Sequence, residues 1–144
     1  MKKIDFKNLD KVYKELFISA EKAMNNSYSP YSNFSIGAAL LTKNGEKFLG
    51  ANIENASYGL TVCAERSAIF SAISQGQKNF KALAVISNGK VYSPCGACRQ
   101  VLFEIYKAFG HDFKVFFTSK DKTQVFVYFV SELLPNAFKG SDLN

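Results

Sequence analysis

Residues 62–100 read VCAERSAIFSAISQGQKNFKALAVISNGKVYSPCGACRQ, and this stretch decides the architecture. Its middle, ALAVIS at 82–87, is an unbroken apolar run of the kind that forms a central strand covered on both faces. Before it, residues 62–73 are rich in good helix formers, and Ala64, Ala68, Ile69 and Ala72 can turn one side of a helix towards a sheet. After it, Ser93 and Pro94 supply a helix start: a side-chain acceptor at the N-cap, then a ring whose missing N–H costs nothing at the first helical position. That helix is expected to run to about Ala108 and to stop at Gly110.

Working outward, Leu9, Val12, Tyr13, Leu16, Phe17, Ala20 and Met24 keep the three-and-four spacing of an earlier helix with one buried face. FSIGAALLT (34–42) and KFLGANIE (47–54) flank Asn44 and Gly45, the residue types that best tolerate the positive φ of a tight hairpin. KVFFTS (114–119) and QVFVYFV (124–130) are separated only by KDKT, too short for a parallel crossover, so they pair antiparallel. The element order predicts an α/β fold: a mixed five-stranded sheet between helices, in a three-layer α/β/α domain. No repeat or linker interrupts residues 1–144, so a single domain is expected.

Composition narrows the class. A chain of 144 residues with 47% hydrophobic content can bury one sizeable core. No run approaches the roughly 20 apolar residues of a bilayer span, and MKKIDFKNLDKVYKELF lacks the continuous apolar block of a signal peptide. Three cysteines, an odd and sparse set, cannot make a disulfide framework, so reduced thiols in a cytoplasmic protein are expected. The glycosylation-type triplets at Asn25, Asn33 and Asn55 are then chance matches. A net charge of +6 raises the question of an anionic partner. Much of the excess, Lys2, Lys3, Lys7, Lys11 and Lys14, has the look of the solvated face of an amphipathic helix, so neither a nucleic-acid nor a membrane partner is expected.

The cysteines carry the chemistry. Cys63 lies near the start of one helix, and Cys95 and Cys98 lie three apart in the first turns of another, where they share a face. The positive end of a helix dipole stabilises thiolates there. Three thiolates fill three of the four tetrahedral positions of Zn²⁺, and an open position distinguishes a catalytic zinc from a structural one. A bound zinc can lower the pKa of water to about 7. Arg66 is the candidate to offset the anionic ligands by donating to sulfur, with Arg99 a weaker candidate. Glu65, two residues after Cys63, is placed to reach such a water and shuttle its proton. His111 follows a helix end while the cysteines lie at helix starts, so it is expected at the surface and not as a fourth ligand.

CAE at 63–65 followed by PCGAC at 94–98 matches the three-cysteine form of the zinc deaminase signature, in which the glutamate is acid and base and not a ligand. From YSPYSNFSIGAALL to ELLPNAF, the sequence resembles the small homotetrameric cytidine deaminases over nearly its whole length. That resemblance implies hydrolysis of cytidine and 2′-deoxycytidine to uridine and 2′-deoxyuridine, in pyrimidine salvage, with one zinc per subunit. It implies that Asn52 and Glu54 bond the ribose 3′-hydroxyl, and that Phe34 packs on the pyrimidine ring. Ser93 would offer a carbonyl to the 4-amino group, and Ala64 an N–H to the 2-carbonyl. Ala56 and Tyr58 would lie near a subunit interface, and Phe138 would close over an adjacent subunit's site. Two other readings compete. A relative acting on a modified cytosine nucleoside of the blasticidin type is opposed by Glu54, which implies an unmodified ribose hydroxyl. A polynucleotide editor is opposed by Cys63 in place of the usual histidine and by the brief KDKT turn.

Overall fold

The computed structural model describes residues 2–143 and arranges them as a mixed six-stranded sheet with helices on both faces. In chain order the elements are β1 (Lys2–Asp5), α1 (Lys11–Met24), β2 (Ile36–Thr42), β3 (Lys47–Ala51), α2 (Ala64–Ser74), β4 (Phe80–Ser87), α3 (Gly96–Phe109), β5 (Lys114–Ser119), β6 (Gln124–Phe129) and α4 (Val130–Leu133). The strand order is β1-β6-β5-β4-β2-β3. Only β4 and β5 pair in parallel, with α3 as the crossover, and every other pair is antiparallel, including the expected β2–β3 and β5–β6 hairpins.

Side chains alternate along β4 and so divide the core in two. Leu83 and Val85 meet α2 and α3 through Ala64, Ala68, Ile69, Ala72, Leu102 and Ile105. Ala82, Ala84 and Ile86 meet α1 on the opposite face through Leu16, Phe17, Ala20 and Met24. The continuous apolar run is thus explained by cover on both sides.

The five-strand expectation is corrected to six, because Lys2–Asp5 pairs antiparallel with β6, Lys2 opposite Val127 and Ile4 opposite Val125. KKID carries no strand signal, but charged short strands are what sheet edges use to discourage further pairing. Lys2 and Lys3 therefore belong to an edge strand and not to the solvated side of a helix. The third predicted helix start is also corrected. Cys95, not Ser93, is the N-cap of α3, because the backbone stays extended through Cys95 (φ −66°, ψ 166°) and the Ser93 hydroxyl accepts from Arg99. At the first hairpin only Gly45 takes positive φ (92°), whereas Asn44 does not. His111 is half-buried and not a free surface residue: Nε2 accepts from the Phe80 N–H (3.1 Å), leaving Nδ1–H to donate to the Phe109 carbonyl (2.9 Å).

Two glycines let helices approach the sheet. A Cβ on Gly37 would lie 1.9 Å from the Ala20 carbonyl of α1, and one on Gly50 would lie 2.4 Å from the Ala64 carbonyl and Ala68 nitrogen of α2. Backbone cannot yield as a side chain end can. Gly50→Ala is expected to destabilise the protein by about 2–3 kcal/mol, measured as a lower urea midpoint, and to weaken zinc retention because α2 carries part of the site.

Candidate active site

The amino ends of α2 and α3 meet on the same face of the sheet. Cys63 is the N-cap of α2, Cys95 the N-cap of α3, and Cys98 lies one turn inside α3, fully buried. All three are free, their sulfurs lie within 4.8 Å of one another, and Cys63 and Cys95 approach to 3.6 Å. Sulfur soft enough for zinc, in a set of three, is the donor chemistry of an open tetrahedral site. The structure therefore brings together the ligands that the sequence had placed on two separate helices.

Hydrogen bonding divides the thiols. The Cys63 thiol is brought down to about 5, first by its hydrogen bond with Cys98 and then by Arg66, against the opposing effect of burial. Cys98 is pushed up as the partner in that same hydrogen bond and by its burial. Arg66 Nη2 donates to Cys63 Sγ at 3.7 Å and to the Thr61 carbonyl at 3.2 Å. Arg99 does not share that role: it donates to two backbone carbonyls and to Ser93.

Glu65 is buried on the first turn of α2, and its Oε2 has no hydrogen-bond partner among the described residues. Burial raises its carboxyl to about 7, with the nearby Cys63 charge acting the same way. A buried carboxylate oxygen left without a partner beside three thiols is costly unless a ligand completes it. The site is therefore fitted to a zinc ion and a polar reactant, which together would satisfy both.

Beside the thiols lies a cavity of about 310 Å³ lined by Phe34, Ile36, Cys63, Glu65, Val85, Ser87, Tyr92, Ser93, Cys95 and Thr118. Phe34, Glu65, Ser93 and two of the cysteines were expected at one site. Tyr92, Ser87 and Thr118 were not. Ser87 ends β4 and Thr118 lies next to the end of β5, so the general tendency of ligands to sit at the carboxyl ends of parallel strands was the available signal. Tyr92 meets Phe34 edge-on, with ring centroids 4.7 Å apart at 71°.

Asn52 is buried and engaged on both sides of its amide. Ser27 Oγ (2.6 Å) and the Ile36 N–H (2.8 Å) donate to Oδ1, while Nδ2 donates to the Phe34 carbonyl at 2.8 Å. It thereby fixes the backbone that presents Phe34, a role the sequence did not suggest. Glu54 lines a second depression with Tyr31, Ser32, Asn55, Tyr58 and Thr61. Its carboxylate accepts from the Tyr31 N–H (2.9 Å), the Ser32 N–H (3.3 Å) and the Ser32 hydroxyl, which hold it in the charged form. Ala64 is buried at the first turn of α2, Ala56 is exposed, and Tyr58 and Phe138 are 77% and 57% exposed. None of Glu54, Ala56, Tyr58 or Phe138 lines the thiol cavity within this chain.

Residues 10–109 match the family described as "Cytidine and deoxycytidylate deaminase zinc-binding region". The chain belongs to this family. Both family motifs, at 63–65 and 94–98, lie inside the matched span, and Phe138 lies beyond it. Among similar proteins, the cytidine deaminase of Halalkalibacterium halodurans is 48% identical over 130 residues, which cover 90% of this chain and 96% of that one. The cytidine deaminase of Sporosarcina psychrophila is 45% identical over 132 residues, covering 90% and 93%. The crystal structure of cytidine deaminase from Burkholderia pseudomallei superposes with a TM-score of 0.81 at 44% identity, covering 88% of this chain and 98% of that chain. The family's zinc-binding region and the Cys63, Cys95 and Cys98 trio together fit one zinc per subunit.

Proposed function

We propose that this protein hydrolyses cytidine and 2′-deoxycytidine to uridine and 2′-deoxyuridine with release of ammonia. The observation that carries the reading is the buried, unpartnered Glu65 Oε2 beside three converging thiols at the wall of a nucleobase-sized cavity. When bound, zinc supplies the Lewis acidity that makes a water nucleophilic at neutral pH. Glu65, raised towards neutrality by burial, can take one proton from that water and deliver it to N3 of the cytosine, then take the second from the hydroxyl added at C4 and pass it to the departing amine. Attack falls at C4. Phe34 and Tyr92, meeting edge-on, give the ring an apolar wall.

The Ser93 carbonyl is proposed to receive the 4-amino group and the Ala64 N–H to hold the 2-carbonyl. Asn52 and Glu54 are proposed to bind the ribose 3′-hydroxyl. In support, Glu54 is charged and oriented by three donors from Tyr31 and Ser32. Arg66 balances sulfur charge through Cys63. A single domain, acting as a cytoplasmic homotetramer on free nucleosides and not on nucleic acid, completes the reading. Ala56 and Tyr58 would sit near subunit contacts, and Phe138 would close a neighbour's site. No helix among the described residues is long and apolar enough to cross a membrane.

The test is loss of cytosine absorbance on incubating purified, zinc-quantified protein with cytidine. No turnover at full zinc occupancy would remove the proposal. Glu54→Ala is expected to lower kcat/KM for cytidine by about 10- to 100-fold, the range for losing a hydrogen bond to a charged group. Unchanged kcat/KM would favour a modified nucleoside as substrate.

A further inference from the structure

Two consecutive side chains after Cys98 reach to the carboxy-terminal segment. Arg99 spends its guanidinium on three acceptors: Nε donates to the Pro94 carbonyl (2.8 Å), Nη2 to Ser93 Oγ (2.6 Å) and Nη1 to the Leu133 carbonyl (3.0 Å). Gln100 Nε2 donates to the Phe138 carbonyl at 2.9 Å. The first two bonds of Arg99 brace the loop that presents Ser93 and Cys95 to the cavity. Its third bond, with that of Gln100, holds both ends of the backbone at 133–138.

That segment has little else to direct it. Between α4 and a short 3-10 turn at Gly140–Leu143 it forms no helix or strand, and Pro135, Asn136 and Phe138 are exposed. Phe138 is 57% exposed, so packing within this chain does little to fix where it points. Its placement falls to the backbone, and so to the side chains of α3.

We propose that Arg99 and Gln100 are positioning residues, a clasp on the zinc-binding helix that sets where Phe138 is presented. The proposal rests on the reading of Phe138 as the aromatic that closes an adjacent subunit's site. A planar guanidinium with donors in a fixed fork can hold the Ser93 loop and the tail at once, which the point charge of a lysine cannot. One rigid cation therefore ties a segment facing this subunit's substrate to a segment facing its neighbour's.

Gln100→Glu keeps the side-chain length but, once ionised, has no donor for the Phe138 carbonyl. Arg99→Lys keeps the charge and loses the fork. At full zinc content, Gln100→Glu is expected to raise KM for cytidine about fivefold, as loss of one hydrogen bond predicts. Arg99→Lys is expected to raise it about tenfold and, because it also loosens the Ser93 loop, to lower kcat, whereas kcat in Gln100→Glu stays within about twofold. Phe138→Ala should raise KM by itself, and Gln100→Glu should then add nothing in the Phe138→Ala background.

An equal Gln100→Glu effect with or without the Phe138 ring would overturn the clasp, because Gln100 would then act by another route. So would a strong Phe138→Ala effect with Gln100→Glu silent, which leaves the closure reading standing. A silent Phe138→Ala would remove the closure reading itself and the clasp with it. Gln100 lies near the surface, so its variant tests the proposal even if Arg99→Lys fails to fold.

Discussion

Glu65→Gln should lower kcat by about 10³- to 10⁴-fold, near the upper end of what a positioned acid–base group contributes, while zinc content and fold are unchanged. The amide has the carboxylate's shape, so the cavity should keep its form, and only the ability to take and return a proton is lost. Glu65 carries this weight because, among the described residues, no other carboxylate and no histidine lines the cavity. Burial also holds its carboxyl near the pH at which a proton is both accepted and released with little driving-force penalty. The check is steady-state kinetics on cytidine beside a zinc measurement. A fall of under tenfold would mean that the proton travels by another group.

Cys98→Ala should abolish both zinc retention and turnover. Cys98 is fully buried, and its removal leaves two sulfurs on different helices, which cannot form the three-ligand set of an open zinc site. It also removes the thiol whose hydrogen bond holds Cys63 down. Metal analysis after gel filtration, with cytidine turnover in added zinc, reads the result. Wild-type zinc content in this variant would show that the trio is not the ligand set. Because metal binding adds to folding free energy when the unfolded chain has no preformed site, the variant should also melt at a lower temperature than the zinc-loaded protein.

The elements around 62–100 were legible because their signals are local. An unbroken apolar run means a doubly covered strand, and cysteines three apart at a helix start mean a shared face. Motif spacing similarly put Cys63, Cys95, Cys98, Glu65 and Arg66 together, and the structure does the same. What escaped depends on tertiary partners. β1 is a strand only because β6 offers it an edge. Ser93 reads as an N-cap until Arg99, six residues on, takes its hydroxyl. The bonds of the Asn52 amide to Ser27, Phe34 and Ile36 join residues far apart in sequence, so no local pattern announces them. Tyr92, Ser87 and Thr118 have no motif, since a cavity wall is defined by where strands end and not by residue type.

The pairing of residues 2–5 with 124–129 joins segments far apart along the sequence. In a chain synthesised from the amino end, the earlier segment emerges long before its partner exists, and must wait as a short lysine-bearing ribbon without a ladder. Closing so long a loop is slow, so this edge is expected to zip up late in folding, after the zinc-binding half has condensed.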